Sequence, residues 1–188
     1  MRKIFLLLLS LLFTVFVLSG CSNLQEPAKP EDNLLIGRVT LQAQNFENFG
    51  NISINGSISK NIQVTLINTE TGKRFNVTTA DEGVFSKRNC EPGQYRIEKF
   101  LYQANASDSQ FRYTSNIYCN VQSEQIITIS TGVVIDLGSL VWYCDGALNR
   151  SWFQPEGSPE ALKDYFTQLF PESLWLEREW VMAQLTGK

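Results

Sequence analysis

The chain has 188 residues, 16 basic and 19 acidic, with a formal net charge of -3 and 43% hydrophobic content, enough for one domain with its own core. It contains no histidine, so Ser-His-Asp and Cys-His nucleophile systems and imidazole-built zinc sites are excluded, leaving carboxylate, Ser-Lys or all-cysteine chemistry. An acidic chain whose only adjacent basic pairs are Lys73-Arg74 and Lys87-Arg88 has no footprint for a phosphate backbone, and nucleic acid is not expected as a partner.

At the N-terminus, Arg2 and Lys3 lead into an apolar run from Ile4 to Leu18 that stops at Leu18-Ser19-Gly20-Cys21. A cationic start, a short hydrophobic segment and small residues before a cleavage point make a secretory signal peptide. The run falls short of the roughly 20 residues needed to span a bilayer. With its terminal cysteine the segment resembles a bacterial lipoprotein signal. That resemblance implies removal of residues 1–20 and attachment of diacylglycerol and fatty acyl groups to Cys21, with no other cofactor. Each buried methylene contributes about 0.8 kcal/mol to membrane binding, so two or three acyl chains hold a domain firmly. In the same family a serine after the modified cysteine, here Ser22, goes with export to the outer membrane rather than retention at the inner one. The expected location is therefore the cell envelope, with the outer membrane favoured.

Residues 21–33 carry Pro27, Pro30 and several charges with little apolar content, the composition of an extended lipidated tether. From residue 34 to 144 the pattern is β. Ile62, Val64 and Leu66 alternate with Gln63 and Thr65, Phe75 and Val77 flank Asn76, and Tyr95 and Ile97 flank Arg96. Short strands at this spacing predict an all-β sandwich of about seven strands. Asn55-Gly56 between isoleucines reads as a type I′ hairpin turn.

Thr79-Ala80-Asp81-Glu82-Gly83-Val84-Phe85, followed by Cys90-Glu91-Pro92-Gly93-Gln94-Tyr95, resembles the carboxypeptidase regulatory-like domain, a transthyretin-like β-sandwich. Gly83, Phe85, Cys90, Pro92, Gly93 and Tyr95 fall at the family's spacing. Pro92 and Gly93 suit a type II turn, and Tyr95 stands where a buried ring can donate its hydroxyl to upstream backbone. Ile36-Gly37-Arg38-Val39 and Val134-Ile135-Asp136-Leu137-Gly138-Ser139-Leu140 resemble the family's first and last strands. Residues 42–60 and 103–124 are longer than the family's links there. Each is either a solvated excursion or a binding loop.

With Cys21 acylated, Cys90, Cys119 and Cys144 remain. Cys90 reads as a small core hydrophobe, which leaves Cys119 and Cys144 as a possible disulfide; a three-cysteine metal site lacks any Cys-x-x-Cys spacing. All four tryptophans, Trp142, Trp152, Trp175 and Trp180, lie near the C-terminal end of the chain, where they can seal a segment onto the sandwich or stack on sugars. Residues 145–188 read as two short helices, one opened by Ser158-Pro159-Glu160 with Leu162, Tyr165, Phe166, Leu169 and Phe170 on one face, the other spanning 172–185. Ser57-Ile58-Ser59-Lys60 matches Ser-x-x-Lys but follows a turn and lacks the companion elements of penicillin-binding enzymes.

The regulatory-like resemblance implies an accessory, non-catalytic module. Hydroxyisourate hydrolases share the wider fold, but their catalytic histidines have no counterpart here. The chain is expected not to be an enzyme and to bind another envelope protein, with a glycan-binding module or an envelope assembly component as alternatives. The candidate surfaces are the loop with Phe46, Phe49 and Asn55, and the C-terminal aromatics Trp152 and Trp175.

Overall fold

The computed structural model describes residues 24–49, 52–107, 112–121, 125–145, 150–158, 160–183 and 185. Cys21 and the signal segment lie outside them. Eleven strands form two sheets among these residues. They are β1 (Leu34–Phe49), β2 (Ile52–Ile58), β3 (Ile62–Asn68), β4 (Arg74–Thr78), β5 (Val84–Arg88), β6 (Gly93–Ser107), β7 (Arg112–Asn120), β8 (Ile127–Ile129), β9 (Val133–Asp145), β10 (Arg150–Glu156) and β11 (Glu179–Met182). One helix, α1 (Ala161–Leu169), and 3-10 turns at Asp81–Gly83 and Leu174–Glu177 complete the fold.

The first sheet runs β10-β9-β1-β2, with β11 also on β9 and β5 also on β1; the second runs β4-β3-β6-β7, with β8 on β6. The protein is an all-β sandwich with a short helical appendage. Its core is built from the inward residues of both sheets, among them Leu41, Val64, Leu66, Phe100, Leu140 and Trp142. Phe100 of β6 stacks on Trp142 of β9 with ring centroids 5.7 Å apart. A second cluster, Leu34, Ile36, Val134, Leu162, Phe166 and Trp175, lies where α1 and the Leu174–Glu177 turn cover the first sheet. Consecutive Leu34, Leu35 and Ile36 are all buried because that strand end is covered on both faces.

The motif residues have identifiable work. Thr79 Oγ1 accepts from Ile62 N at 2.9 Å and donates to Ser59 O at 2.6 Å, tying the crossing between sheets to the start of β3. Phe85 lies across Gly37, its partner in the β1–β5 pairing, where an added Cβ would meet the ring. Tyr95 is buried and donates its hydroxyl to Glu91 O at 2.8 Å, as its position in the sequence suggested.

Several expectations are corrected. Asn55-Gly56 is not a hairpin turn: β2 runs straight through it, pairing Gly56 with Ala43 and Ile54 with Phe46 across a register shift. The ladder continues to Phe49 and Ile52, so the chain reverses beyond it and the glycine, at φ 119°, serves an irregular strand instead. Gly93 opens β6 at φ 151°, not the roughly +80° of a type II turn. The described residues within 42–60 and 103–124 are mostly strand: β1 continues to Phe49 beside β2, and β6 continues to Ser107 beside β7.

Among its described residues the C-terminal segment holds one α-helix instead of two. Ser158 Oγ accepts from Glu160 N at 3.1 Å, and the helix proper begins at Ala161. Beyond Pro171 the apolar spacing ends in a 3-10 turn and then in β11, which pairs parallel to β9 from Glu179↔Val133 to Met182↔Asp136. The open edge of β9 offers backbone partners that a free amphipathic segment lacks.

The tether is also corrected for its described part. Leu24 packs on the second cluster. Glu26 Oε2 accepts from the Ser173 hydroxyl at 3.0 Å and Leu174 N at 2.9 Å, and Trp175 Nε1 donates to Gln25 O at 3.1 Å. Arg178 donates to Pro30 O and Lys29 O. Asn33 donates to Cys90 O and Ser130 O and accepts from Cys90 N. The carbonyls of Gln25, Lys29 and Pro30 thus find donors in the C-terminal segment, while Asn33 fastens the end of the linker to Cys90 and Ser130.

Candidate functional site

Alternation along β9 turns Trp142 and Cys144 inward and Tyr143 outward. The cross-strand partners of Tyr143 are Trp152 on β10 and Gln42 on β1, and Gln42 in turn faces Ser57 on β2. Trp152, Tyr143, Gln42 and Ser57 therefore form one row across four strands on the outer face of the first sheet. The two rings stack with centroids 5.2 Å apart and planes 12° from parallel, and Trp152 is 37% exposed. Gln42 Nε2 donates to Ser57 Oγ at 3.2 Å. An aromatic platform continued by an amide and a hydroxyl offers a stacking face beside donors and acceptors.

Trp152 is thus placed at the surface as the sequence suggested. Trp175 is not: it is 0% exposed, packed in the second cluster and bonded to Gln25 O, so it is removed from the candidate surface. Phe46 and Phe49 belong to β1 and Asn55 to β2, while their side chains lie outside the described residues. Tyr143, Gln42 and Ser57 were missed by the sequence reading. The period-two alternation of β9 held the signal for Tyr143, but its neighbours across the sheet depend on pairings that no single strand records.

Beside α1 a groove of about 660 Å³ runs between the helix, β5 and Leu24, walled by Ile36, Val84, Phe166, Leu169 and Phe170. Lys87 and Arg88 of β5 also line it. At one wall Arg38 Nε donates to Glu82 O at 2.8 Å, and its guanidinium lies 5.8 Å from the Tyr165 ring centre.

Cys90, Cys119 and Cys144 are buried free thiols, so the Cys119–Cys144 bridge is not formed. The two residues belong to facing sheets. The Ser151 hydroxyl hydrogen-bonds to both thiols, and that bond partly offsets the upward shift that burial gives each of them. Burial pushes the Cys90 thiol up to about 11 against the opposing pull of Lys87, so these sulfurs are poor nucleophiles near neutral pH. Ser57 and Lys60 do not act together: Ser57 bonds Gln42, and Lys60 Nζ pairs with Asp81 Oδ1 at 2.6 Å. Among the described residues no cluster of three His, Cys, Asp or Glu side chains could hold a metal ion, and no helix is long and apolar enough to cross a membrane.

No known protein family and no curated protein matches the chain. Among solved structures it is similar to a Pseudomonas aeruginosa protein called a "putative carbohydrate binding protein", 11% identical over 63% of this chain and 99% of that one, with a TM-score of 0.35. It is also similar to a leucine-rich repeat protein from Bacteroides thetaiotaomicron, 14% identical over 61% of this chain and 14% of that one, with a TM-score of 0.34. At such TM-scores neither likeness carries an argument about ligand.

Proposed function

We propose that this is a lipid-anchored envelope protein whose regulatory-like sandwich is a non-catalytic binding module, with Trp152, Tyr143, Gln42 and Ser57 as a glycan-contact surface. The observation that carries the reading is the exposed Trp152–Tyr143 stack in line with Gln42 and Ser57. A sugar ring presents apolar C–H faces and equatorial hydroxyls at once, which suits an aromatic platform with adjacent amide and hydroxyl groups. The anchor rests on Leu18-Ser19-Gly20-Cys21, and the serine at 22 favours the outer membrane.

Retention on immobilised envelope polysaccharide tests the ligand class. The lipid-free domain should be retarded, and Trp152→Ala should lose the retardation while the protein stays folded, since losing the stack on Tyr143 costs only about 1 kcal/mol. Equal retention of the variant removes the row from the site. The second reading, an envelope-protein partner, draws on Tyr118, an edge-strand residue of β7 that is 62% exposed. Crosslinking in intact cells that captures one reproducible protein through Tyr118, with no polysaccharide retention, favours it.

A further inference from the structure

We infer that the docked linker holds the α1 side of the domain against the bilayer, with Leu169 and Leu174 as the side chains that enter its interface. The inference deepens the anchored reading above and rests on lipidation of Cys21. Only Ser22 and Asn23 separate the acylated Cys21 from Leu24, three steps that span at most about 11 Å at roughly 3.6 Å per residue. Leu24 is half-buried against the second core cluster and lines the groove that Leu169 also lines. Two residues on, the Glu26 carboxylate accepts from Leu174 N and from the Ser173 hydroxyl. The lipid therefore leaves the domain beside these two leucines.

Both leucines are large apolar side chains left in the open, Leu169 at 46% and Leu174 at 47% exposure. An interfacial element buries its apolar face roughly 5–10 Å into the headgroup and acyl boundary, a depth comparable with the reach of residues 21–23. Attraction to anionic headgroups is not needed, because the covalent anchor keeps the surface at the membrane and raises the effective concentration of the weak apolar contact.

The test uses the full lipidated chain in phosphatidylethanolamine–phosphatidylglycerol vesicles containing nitroxide lipid. An environment-sensitive fluorophore is attached at Leu169→Cys, Leu174→Cys or Tyr118→Cys, the native thiols being buried. Quenching by the nitroxide should be several-fold greater at 169 and 174 than at 118. Inserting about twelve Gly and Ser residues between Asn23 and Leu24, a spacer of roughly 20 Å, should abolish the difference while vesicle association persists. Equal quenching at all three sites in vesicle-bound protein overturns the inference alone, as does a difference that survives the spacer. A chain that does not associate with vesicles, or that associates equally as Cys21→Ser, overturns the anchor and the inference with it.

Discussion

Gly83 holds φ 81°, and a Cβ there would strike the carbonyl oxygen of Val39 in the neighbouring strand β1, with Ser59 Cβ at 3.2 Å. Left-handed backbone costs a non-glycine residue about 1–2 kcal/mol, and here the clash is with backbone that cannot rotate away. Gly83→Val should lower stability by roughly 3 kcal/mol or more, read as a fall in the denaturation midpoint; an unchanged midpoint contradicts the turn. Tyr95→Phe keeps the buried ring and loses only the bond to Glu91 O, so about 1 kcal/mol is expected. Asp136 is a buried carboxylate whose Oδ1 accepts from Gly138 N at 2.7 Å. Burial raises its pKa above the ordinary value, and the Gly138 bond opposes that shift. The folded state therefore binds the proton more tightly than the unfolded chain, and this group's contribution to stability is lost as pH rises from its unfolded to its folded pKa. Asp136→Asn can keep the bond from Gly138 without the buried charge. Melting curves from pH 4 to pH 7 should show the variant gaining on the parent as pH rises, and parallel curves would contradict the shift.

At the scale of elements, the C-terminal segment works as cladding. α1 and the Leu174–Glu177 turn bury Leu162, Phe166 and Trp175 against Leu34, Ile36 and Val134, and β11 caps the open half of β9. Trp175→Ala removes the largest side chain of that cluster and its bond to Gln25 O, so it should cost about 3–5 kcal/mol. The docked linker loses its seat in the same variant. Limited proteolysis should then cut within residues 24–33, which the parent protects; protection in both proteins would show that the linker holds without the indole.

At the scale of the whole molecule, the linker enters at the Leu34 end of β1, whereas the Trp152 row crosses β1 at Gln42. Eight residues at about 3.3 Å each place them roughly 26 Å apart along the strand. The proposed recognition row thus stands away from the proposed anchor, near the end where β1–β2 and β9–β10 reverse.

The sequence by itself determined the β class, the inward residues Ile62, Val64, Leu66, Val77, Tyr95 and Ile97, and the local roles of Gly83 and Tyr95. Each of these is written in period-two alternation or in backbone geometry spanning only a few neighbours. It also placed Trp152 and Trp175 in one aromatic segment without separating them. Only the tertiary structure sent Trp152 outward beside Tyr143 and Trp175 inward beneath the linker, turned residues 179–182 into a strand, and docked residues 24–33. Those outcomes depend on which open edge or unpaired backbone group lies within reach after folding, and that is a property of distant partners.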